Sequence, residues 1–239
     1  MKIRNSVALV TGANRGLGLA FARALLAGGA RKVYAAARNP QNVSLPGVQA
    51  VRLDVTKPEE AAAVARECGD VNLLINNAGI ARNTSFLAGN SLQAAREEIE
   101  TNYLGTLAVS RAFATVLARN GGGAIVNVNS VLSWLNFPQA GTYSASKAAE
   151  WSLTNGLRNE LRGQGTQVVA LHVGLLDTDM ASGISGPKTD PADVARQTLG
   201  ALEENKEEVL ADELTRQVKQ GLSAEPGIYL AYSFQEEAA

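Results

Sequence analysis

The N-terminal stretch of the chain contains no acidic side chain, since neither Asp nor Glu precedes Asp54 in the 239 residues. The same stretch carries eight lysine and arginine residues, whereas the whole chain has 22 basic and 23 acidic residues and a formal net charge of -1. This near-neutral total excludes a general attraction to nucleic acid. Some of the local positive charge is ordinary solvated surface, but its concentration also predicts a positive field around a phosphate-rich ligand.

Cysteine and histidine are almost absent, with one residue of each type, Cys68 and His172. A lone cysteine excludes an intrachain disulfide, and we expect no metal site because no His/Cys cluster exists. No apolar run reaches the roughly 18 residues of a membrane span, and the N-terminal run is too short for a signal peptide. We therefore expect a cytoplasmic protein without membrane or nucleic-acid partners. His172 lies in an apolar stretch and is expected to pack in the core.

The most informative stretch is VALVTGANRGLG, from Val7 to Gly18. Its apolar start predicts a buried strand, and the amphipathic run that follows the glycines predicts a helix. In such a unit Gly12 allows a tight turn, Gly16 lets the backbone approach a pyrophosphate, and Gly18 lets the helix pack against the strand. Glycine turns also join strands to helices without any ligand, so the surrounding strand–helix context supports the dinucleotide-binding interpretation.

Strands alternate with helices along the rest of the chain. Further strands are predicted at Lys32–Ala37, Val48–Leu53, Val71–Ile75, Ala124–Val128, Thr166–Val173 and Glu208–Ala211. Further helices are predicted at Lys57–Glu67, Ser91–Arg119, Tyr143–Leu161 and Asp190–Glu203. This alternation predicts an α/β fold: one Rossmann-type, doubly wound parallel sheet with helices on both faces, in a single domain over residues 1–239. Residues 223–239 give no clear prediction.

Two groups of residues carry possible chemistry. Tyr143 and Lys147 are four residues apart in a predicted helix, so both side chains lie on one face. An ammonium beside a phenol lowers the phenol pKa and makes the tyrosine a usable acid or base near neutral pH. Ser130 follows a predicted strand and is expected at the carboxyl edge of the sheet, where ligands bind. Each feature alone also fits an ordinary surface pair or a loop serine.

Taken together, these motifs resemble the classical short-chain dehydrogenase/reductases over about residues 5 to 200. The resemblance rests on TGANRGLG, Leu53-Asp54-Val55, Asn76-Asn77-Ala78-Gly79, Asn102, Ser130 and Tyr143-x-x-x-Lys147. It implies an NAD(P)-dependent oxidoreductase in which Tyr143 protonates the carbonyl oxygen during reduction. By the same resemblance, Lys147 binds the nicotinamide ribose and lowers the Tyr143 pKa, Ser130 orients the substrate carbonyl, and Asn102 holds a proton-relay water.

The resemblance also implies a set of cofactor contacts, and the chain departs from the family pattern at one position. The expected contacts are Gly12, Asn14, Arg15, Gly16, Leu17, Gly18, Arg38, Asp54, Val55, Asn77, Ala78, Gly79, Tyr143, Lys147, Gly174 and Thr178. Among them, Asp54 is expected at the adenine and Thr178 at the carboxamide. The family usually has Pro-Gly after the sixth strand, whereas this chain has Val173-Gly174.

The end of the second predicted strand bears on the choice of cofactor. An NAD-preferring site needs an acid there to bind the ribose 2′-hydroxyl, but this chain has Ala37 followed by Arg38. Arg38 and Arg15 suit a 2′-phosphate, which predicts NADP(H). The alternative is that Arg38 is a solvent-facing loop residue and Arg15 a first-turn helix residue.

The substrate is predicted to be a small carbonyl or alcohol compound with apolar flanks, contacted by Ser130, Trp134, Leu175 and Met180. Trp134 fits the protein core equally well. The sequence thus favours an NADPH-dependent carbonyl reductase. The alternatives are an NAD-dependent alcohol or hydroxysteroid dehydrogenase and a non-catalytic NADP(H)-binding regulator.

A homodimer or homotetramer is also expected, because two predicted helices carry apolar residues beyond one stripe. They are Leu104, Leu107, Val109, Phe113 and Val116 in one helix and Ala148, Trp151, Leu153 and Leu157 in the other. The alternative is that this apolar surface meets the sheet of the same chain.

Overall fold

Seven parallel strands form one sheet in the computed structural model, which describes residues 1–231. The strands are β1 (Val7–Thr11), β2 (Lys32–Ala37), β3 (Gln49–Arg52), β4 (Leu73–Asn76), β5 (Gly123–Val128), β6 (Thr166–His172) and β7 (Glu208–Leu210). Their order across the sheet is β3-β2-β1-β4-β5-β6-β7. This topology confirms the predicted Rossmann-type fold, and the predicted limits of all seven strands agree within two residues.

The helices follow the strands as the alternation predicts. They are α1 (Gly16–Ala27), α2 (Pro58–Glu67), α3 (Ser91–Glu98), α4 (Thr106–Arg119), α5 (Gly141–Leu161), α6 (Pro191–Glu203), α7 (Glu213–Gly221) and α8 (Ile228–Ala231). The predicted helix Ser91–Arg119 is not uniform, because a π-helical segment, Ile99–Gly105, separates α3 from α4. Neither α7 nor α8 was predicted from the sequence, and residues 232–239 of the uninterpreted tail lie outside the described part of the chain.

Two apolar layers hold the sheet, one on each face. Every residue of β1 is buried, and alternate side chains point to opposite faces. Ala8 and Val10 join a core cluster with residues of α1 and α6, whereas Val7 and Leu9 join a second cluster with residues of α2, α4 and α5. A strand covered by helices on both faces must be apolar along its whole length, as the sequence VALV is.

The second apolar layer uses part of the surface that was expected to form an oligomer. Val109, Phe113, Val116 and Leu157 are buried in the cluster between the helices and the sheet. For these four residues the alternative interpretation is therefore correct, because their apolar surface is covered by their own chain. Leu104 remains 40% exposed. Half-buried apolar residues on the same helices are Leu107, Ala148, Trp151 and Leu153.

Candidate active site

A crevice suited to a dinucleotide lies where the strand order reverses, at the carboxyl ends of β1 and β4. The turn after β1 needs glycine for two reasons. Gly12 and Gly16 have φ values of +66° and +54°, which L side chains rarely adopt. A Cβ on Gly18 would lie 2.3 Å from the Gly12 carbonyl oxygen, so α1 packs against the turn at a distance that excludes any side chain.

The N-terminus of α1 is left open for an anion. Arg15 occupies the N-cap position, makes no capping hydrogen bond from its side chain, and is followed by no acidic residue in the first turn. The first N–H groups of a helix have no partner within the helix, and its dipole favours negative charge there. The turn and the open helix end therefore fit the pyrophosphate of a nicotinamide dinucleotide. Within this stretch Asn14 is half-buried, while the Leu17 side chain belongs to the core.

The segment after β4 forms the facing wall of the crevice. Asn77 donates from Nδ2 to the Thr11 carbonyl oxygen at 2.9 Å, which ties this segment to the end of β1. The Thr11 hydroxyl in turn accepts from the backbone N–H groups of Asn77 and Ala78 at 2.9 and 3.0 Å. A Cβ on Gly79 would lie 3.2 Å from Asn102 Oδ1, so this glycine keeps the wall narrow beside the π-helical segment.

The expected adenine and ribose contacts lie at the ends of β2 and β3. Asp54 is half-buried, and its Oδ1 accepts from the N–H and the hydroxyl of Thr56 at 3.1 and 2.8 Å. Val55 is buried beneath the π-helical segment, close to Gly105. Arg38 directly follows β2 and is exposed. Its guanidinium is thus accessible to a ligand at this edge of the sheet.

Arg15 has a partner that the sequence did not predict. Its Nη1 lies 3.2 Å from Asp179 Oδ2, and both side chains are largely exposed, at 70% and 76%. Asp179 follows Thr178 in the segment after β6, and the Thr178 side chain lies 3.4 Å from where a Cβ on Gly16 would be. The segment after β6 therefore closes over the glycine turn. An exposed ion pair contributes little free energy, so Arg15 can exchange Asp179 for a phosphate.

The side chains expected to carry the chemistry meet between β5 and α5. Ser130 follows β5, its hydroxyl accepts from the Leu132 N–H at 3.1 Å, and it is close enough to the Tyr143 phenol to lower the pKa of that group. Lys147 lies one helical turn beyond Tyr143, with its Nζ 5.9 Å from the centre of the phenol ring. The structure thus brings Ser130, Tyr143 and Lys147 together at the carboxyl edge of the sheet.

Burial changes the electrostatic expectation for this group. Burial raises the pKa of Tyr143, the nearby Lys147 ammonium and the Ser130 hydroxyl lower it, and the negative charge of Glu150 adds to the rise. The net direction is upward, so the tyrosine keeps its proton at neutral pH in the protein without cofactor. The sequence predicted that Lys147 lowers the Tyr143 pKa. It did not predict the larger effect of burial, which depends on the tertiary structure.

Asn102 lies in the π-helical segment, where helix geometry is locally widened. Its Oδ1 accepts from the Ile80 N–H at 2.9 Å, and its Nδ2 donates to the Ile80 carbonyl oxygen and the Ser146 hydroxyl, both at 2.9 Å. The Asn102 side chain is therefore occupied in joining the segment after β4 to α5. Its expected role in holding a relay water stays a prediction.

His172 supports the Ser130 main chain from behind. Its Nδ1 lies 3.2 Å from the Ser130 carbonyl oxygen, and its ring stacks on Trp134 with centroids 3.9 Å apart. Burial lowers the pKa of His172 to about 3, so the ring is neutral and its 3.9 Å approach to Glu208 is not an ion pair. Neutral Nδ1–H then donates to Ser130. The sequence correctly predicted a packed histidine but not its contact with Ser130.

The residues expected at the substrate have different surroundings. Trp134 is half-buried between His172 and Trp151, and it packs beside Val218 of α7. Leu175 is half-buried, and Met180 is 51% exposed in the segment after β6. Gly174 begins that segment, and its N–H donates to Asp212 Oδ2 at 2.6 Å. Asp212 thus holds the main chain at Gly174, where this chain has Val173-Gly174 in place of the family's usual Pro-Gly. No sequence pattern identified Asp212.

Several features of the described chain lie outside this site. Burial raises the pKa of the Cys68 thiol to about 12, which keeps it protonated. Within residues 1–231 no group of three His, Cys, Asp or Glu side chains is placed to hold a metal ion. Across the same residues, every helix is too short or too polar to cross a bilayer.

Comparisons with known proteins agree with this geometry. Residues 6–188 match the family described as short chain dehydrogenase. The farnesol dehydrogenase of Aedes aegypti is 36% identical over 192 residues, which cover 73% of this chain and 78% of that protein. The galactitol 2-dehydrogenase (L-tagatose-forming) of Cereibacter sphaeroides is 38% identical over 190 residues, covering 75% of this chain and 74% of that protein.

A solved structure is similar over nearly the whole chain. A short chain dehydrogenase from Burkholderia cenocepacia J2315, crystallised in complex with NADP, has 41% sequence identity and a TM-score of 0.92. The comparison covers 97% of this chain and 98% of that one. The Burkholderia cenocepacia structure therefore shares the fold of this chain, whereas the two sequence relatives are named for different substrates.

Proposed function

Because this chain belongs to the short-chain dehydrogenase family, whose members act on alcohol and carbonyl substrates, we propose that it is an NADPH-dependent carbonyl reductase. Its substrate is a ketone or aldehyde with apolar flanks. The observation that carries the proposal is the grouping of Tyr143 with Ser130 and Lys147 at the carboxyl edge of the sheet, with Lys147 Nζ 5.9 Å from the centre of the phenol ring. The whole chain then serves as one nicotinamide-binding catalytic domain.

In this reaction the three side chains have separate tasks. Ser130 donates a hydrogen bond to the substrate carbonyl oxygen and aligns it with the Tyr143 phenol. Tyr143 transfers its proton to that oxygen, and the phenolate that remains is stabilised by the Lys147 ammonium. The nicotinamide cofactor, when bound, supplies the hydride for the carbonyl carbon. With its pKa raised, the Tyr143 phenol is protonated at neutral pH, which suits the reductive direction.

The preference for NADPH rests on the charges at the edge of the crevice. Ala37, at the end of β2, provides no carboxylate for a ribose 2′-hydroxyl, and Arg38 beside it is exposed. Arg38 binds the 2′-phosphate, and Arg15 joins it by leaving Asp179. The similar Burkholderia cenocepacia structure contains NADP, which supports the same assignment here.

The apolar character of the substrate is supported by the segment after β6. Met180 and Ile184 are exposed there, at 51% and 40%, and Leu175 lies half-buried at its start. These side chains offer an apolar cover for a bound carbonyl compound. One relative is named for farnesol, an apolar alcohol, and another for galactitol, a polar one, so the substrate panel must contain both kinds.

We also propose a homo-oligomer built on α4, α5 and the π-helical segment that precedes α4. The residues available for it are those that the chain does not bury in its own core, namely Leu104, Leu107, Ala148, Trp151 and Leu153. This is a smaller surface than the sequence predicts, because four of the nine residues are core. Light scattering at micromolar protein concentration tests the assembly, and a monomeric mass contradicts it.

The function is tested by oxidation of NADPH and NADH with apolar ketones, aldehydes and ketoses, together with the reverse reaction on the corresponding alcohols. The proposal predicts reduction of apolar carbonyl compounds with NADPH. Turnover confined to NAD and alcohols favours the dehydrogenase alternative. Tight NADPH binding without turnover on any substrate contradicts a catalytic role and favours a cofactor-binding regulator.

A further inference from the structure

A buried carboxylate contacts the lysine of the proposed site. Glu150 Oε2 lies 2.6 Å from Lys147 Nζ, and the two side chains are only 2% and 6% exposed. Lys147 also donates to the Val128 carbonyl oxygen, at 2.8 Å, at the end of β5. Two of the three ammonium N–H groups are therefore used within the protein. Nothing in the proposed mechanism so far assigns a task to Glu150.

The carboxylate also has a partner on another helix, because the Thr106 hydroxyl of α4 donates to Glu150 Oε1 at 3.4 Å. The main chain of Glu150 is held separately: the Thr154 hydroxyl donates to the Glu150 carbonyl oxygen at 2.8 Å and accepts from Asn127 of β5 at 3.0 Å. The carboxylate is thus held by Lys147 and Thr106, and the helix that carries it is tied to β5 through Thr154.

The contact determines the charge state of Lys147. Burial alone lowers the pKa of Lys147, but the adjacent Glu150 carboxylate, with a smaller contribution from Tyr143, raises it above its ordinary value. Burial also raises the pKa of Glu150, and the Lys147 ammonium opposes that rise. A buried lysine without a counter-charge tends to lose its proton, and a neutral amine cannot stabilise a phenolate. The positive charge beside Tyr143 thus depends on a carboxylate that does not itself touch the reacting atoms.

We propose that Glu150 is a positioning residue for this reaction, anchoring the Lys147 ammonium at the end of β5 and keeping it charged beside Tyr143. The inference rests on the proposed function, because Glu150 acts only through residues assigned there. The remaining N–H of Lys147 is available to the crevice, since Nζ lies 3.8 Å from where a Cβ on Gly79 would be. Glu150 therefore also orients the lysine towards the cofactor.

Besides Tyr143, two other titratable groups within residues 1–231 lie near Lys147 and Glu150. Glu98, at the end of α3, is buried, accepts from the Arg82 N–H at 2.6 Å, and raises the pKa of Tyr143. His172, on β6, is neutral, and Lys147 contributes to that neutrality by lowering its pKa. Neither group contacts Lys147, so removal of the Glu150 charge leaves the lysine without a carboxylate partner.

The decisive variant is Glu150→Gln, which keeps the shape of the side chain but removes its charge. The Tyr143 pKa is measured without cofactor by pH titration of tyrosinate absorbance. The Tyr143 contribution is the difference between each protein and the same protein that also carries Tyr143→Phe. Removal of the Glu150 charge directly lowers the Tyr143 pKa, because that charge raises it. Loss of the Lys147 ammonium as a neighbouring opposite charge acts upward, and we expect this indirect effect to dominate, with a net upward shift of about one unit or more. The Kd for NADPH, measured by its fluorescence, should rise about tenfold, as for one lost charge-assisted hydrogen bond.

Two controls separate this role from a structural one. Glu160→Gln removes an exposed carboxylate from the same helix and should change neither value. Glu150→Asp keeps the charge at a longer distance and should restore part of both values. In the Lys147→Met background, Glu150→Gln should produce no further upward shift, because its effect acts through the lysine.

An unchanged or lowered Tyr143 pKa in folded Glu150→Gln protein overturns the inference, as does an equal upward shift in the Lys147→Met background. Circular dichroism and thermal unfolding verify the fold. If Glu150→Gln does not fold, Glu150→Asp provides the test, and a Tyr143 pKa equal to that of the unaltered protein overturns the inference. Both readouts need no carbonyl substrate, so a failure of the proposed function is recognised separately, as absence of turnover in the unaltered protein.

Discussion

The two halves of the site differ in how firmly the protein holds them. Around Tyr143 and Lys147 the side chains are enclosed by β5 and α5, and the lysine is only 6% exposed. Around the glycine turn, the pair of Arg15 and Asp179 is 70% and 76% exposed. The half that we propose to perform proton transfer is therefore fixed before any ligand binds. The half that we propose to select the cofactor consists of exposed charges that can change partners at little cost in free energy.

The largest effect is expected in the fixed half. Tyr143→Phe keeps the ring and removes the acidic proton, so kcat should fall at least about a hundredfold, the usual contribution of a general acid. NADPH binding should remain close to that of the unaltered protein. Steady-state kinetics and fluorescence titration measure the two quantities. Near-normal turnover in this variant contradicts the assignment of Tyr143.

A smaller effect is expected in the exposed half, and it concerns the ratio of two cofactors. We expect kcat/KM to favour NADPH over NADH by about tenfold or more, since charge-assisted contacts contribute roughly 1.5–3 kcal/mol each. Ala37→Asp with Arg38→Leu should weaken or reverse this ratio by repelling the phosphate and accepting the ribose hydroxyl. Arg31→Leu, an exposed arginine at the other end of β2, is the matched control. Equal use of both cofactors by the unaltered protein contradicts the NADPH preference but not the oxidoreductase assignment.

Because His172 is enclosed in the fixed half of the site, the pH dependence of the free energy of unfolding reports how firmly that half is held. Its pKa is about 3 in the folded protein against 6.5 ordinarily, so the unfolded chain binds the extra proton between these values. The stabilisation is fully present above pH 6.5 and is lost as the pH falls. Between pH 6.5 and pH 5 the loss should be about 2 kcal/mol, at 1.36 kcal/mol per unit.

The same measurement on His172→Phe supplies the comparison. This variant keeps a ring against Trp134 but has no titratable group, so its free energy of unfolding should decline less steeply over that range. Urea unfolding at a series of pH values provides both curves. If the free energies of unfolding of the two proteins decline in parallel as the pH falls, the His172 ring is not held neutral in the folded protein, and the prediction is wrong.

The smallest effect is expected for the exposed ion pair of Arg15 and Asp179. Asp179→Ala should change the free energy of unfolding by less than about 0.5 kcal/mol, as for most exposed substitutions. Chemical denaturation measures this value. A decrease of about 2 kcal/mol or more in the free energy of unfolding, on the order seen for removal of a buried partner, would mean that this half of the site is held as firmly as the other half.

The same contrast explains which features could be predicted from the sequence. The strand at Val7 and the helix at Tyr143 depend on local periodicity and burial, so their existence and position were predicted correctly. The helix α7 was overlooked, although Leu214, Val218 and Leu222 recur every four residues and pack in one apolar cluster, and Asp212 caps the start of the helix. The π-helical segment Ile99–Gly105 also escaped notice, because its widened turns have no sequence pattern that distinguishes them from an α-helix.

Within the site, motifs predicted which residue types are present but not what surrounds them. The spacing of Tyr143 and Lys147 identified the pair, whereas the Thr106 contact that holds Glu150 comes from a different helix. The contact between His172 and the Ser130 carbonyl oxygen joins residues 42 positions apart. Such contacts depend on the packing of separate elements, and a single sequence contains no local signal for them.

Transfer of deuterium tests the central claim most directly. The unaltered protein is supplied with NADPH that carries deuterium at both hydrogen positions of the nicotinamide C4 and with the carbonyl compound that it reduces fastest, and the product is analysed by mass spectrometry. The proposed function predicts an alcohol that carries one deuterium at the former carbonyl carbon, and almost none of it with Tyr143→Phe. Consumption of NADPH without a deuterated alcohol, or equal yield from the two proteins, would contradict carbonyl reduction through Tyr143.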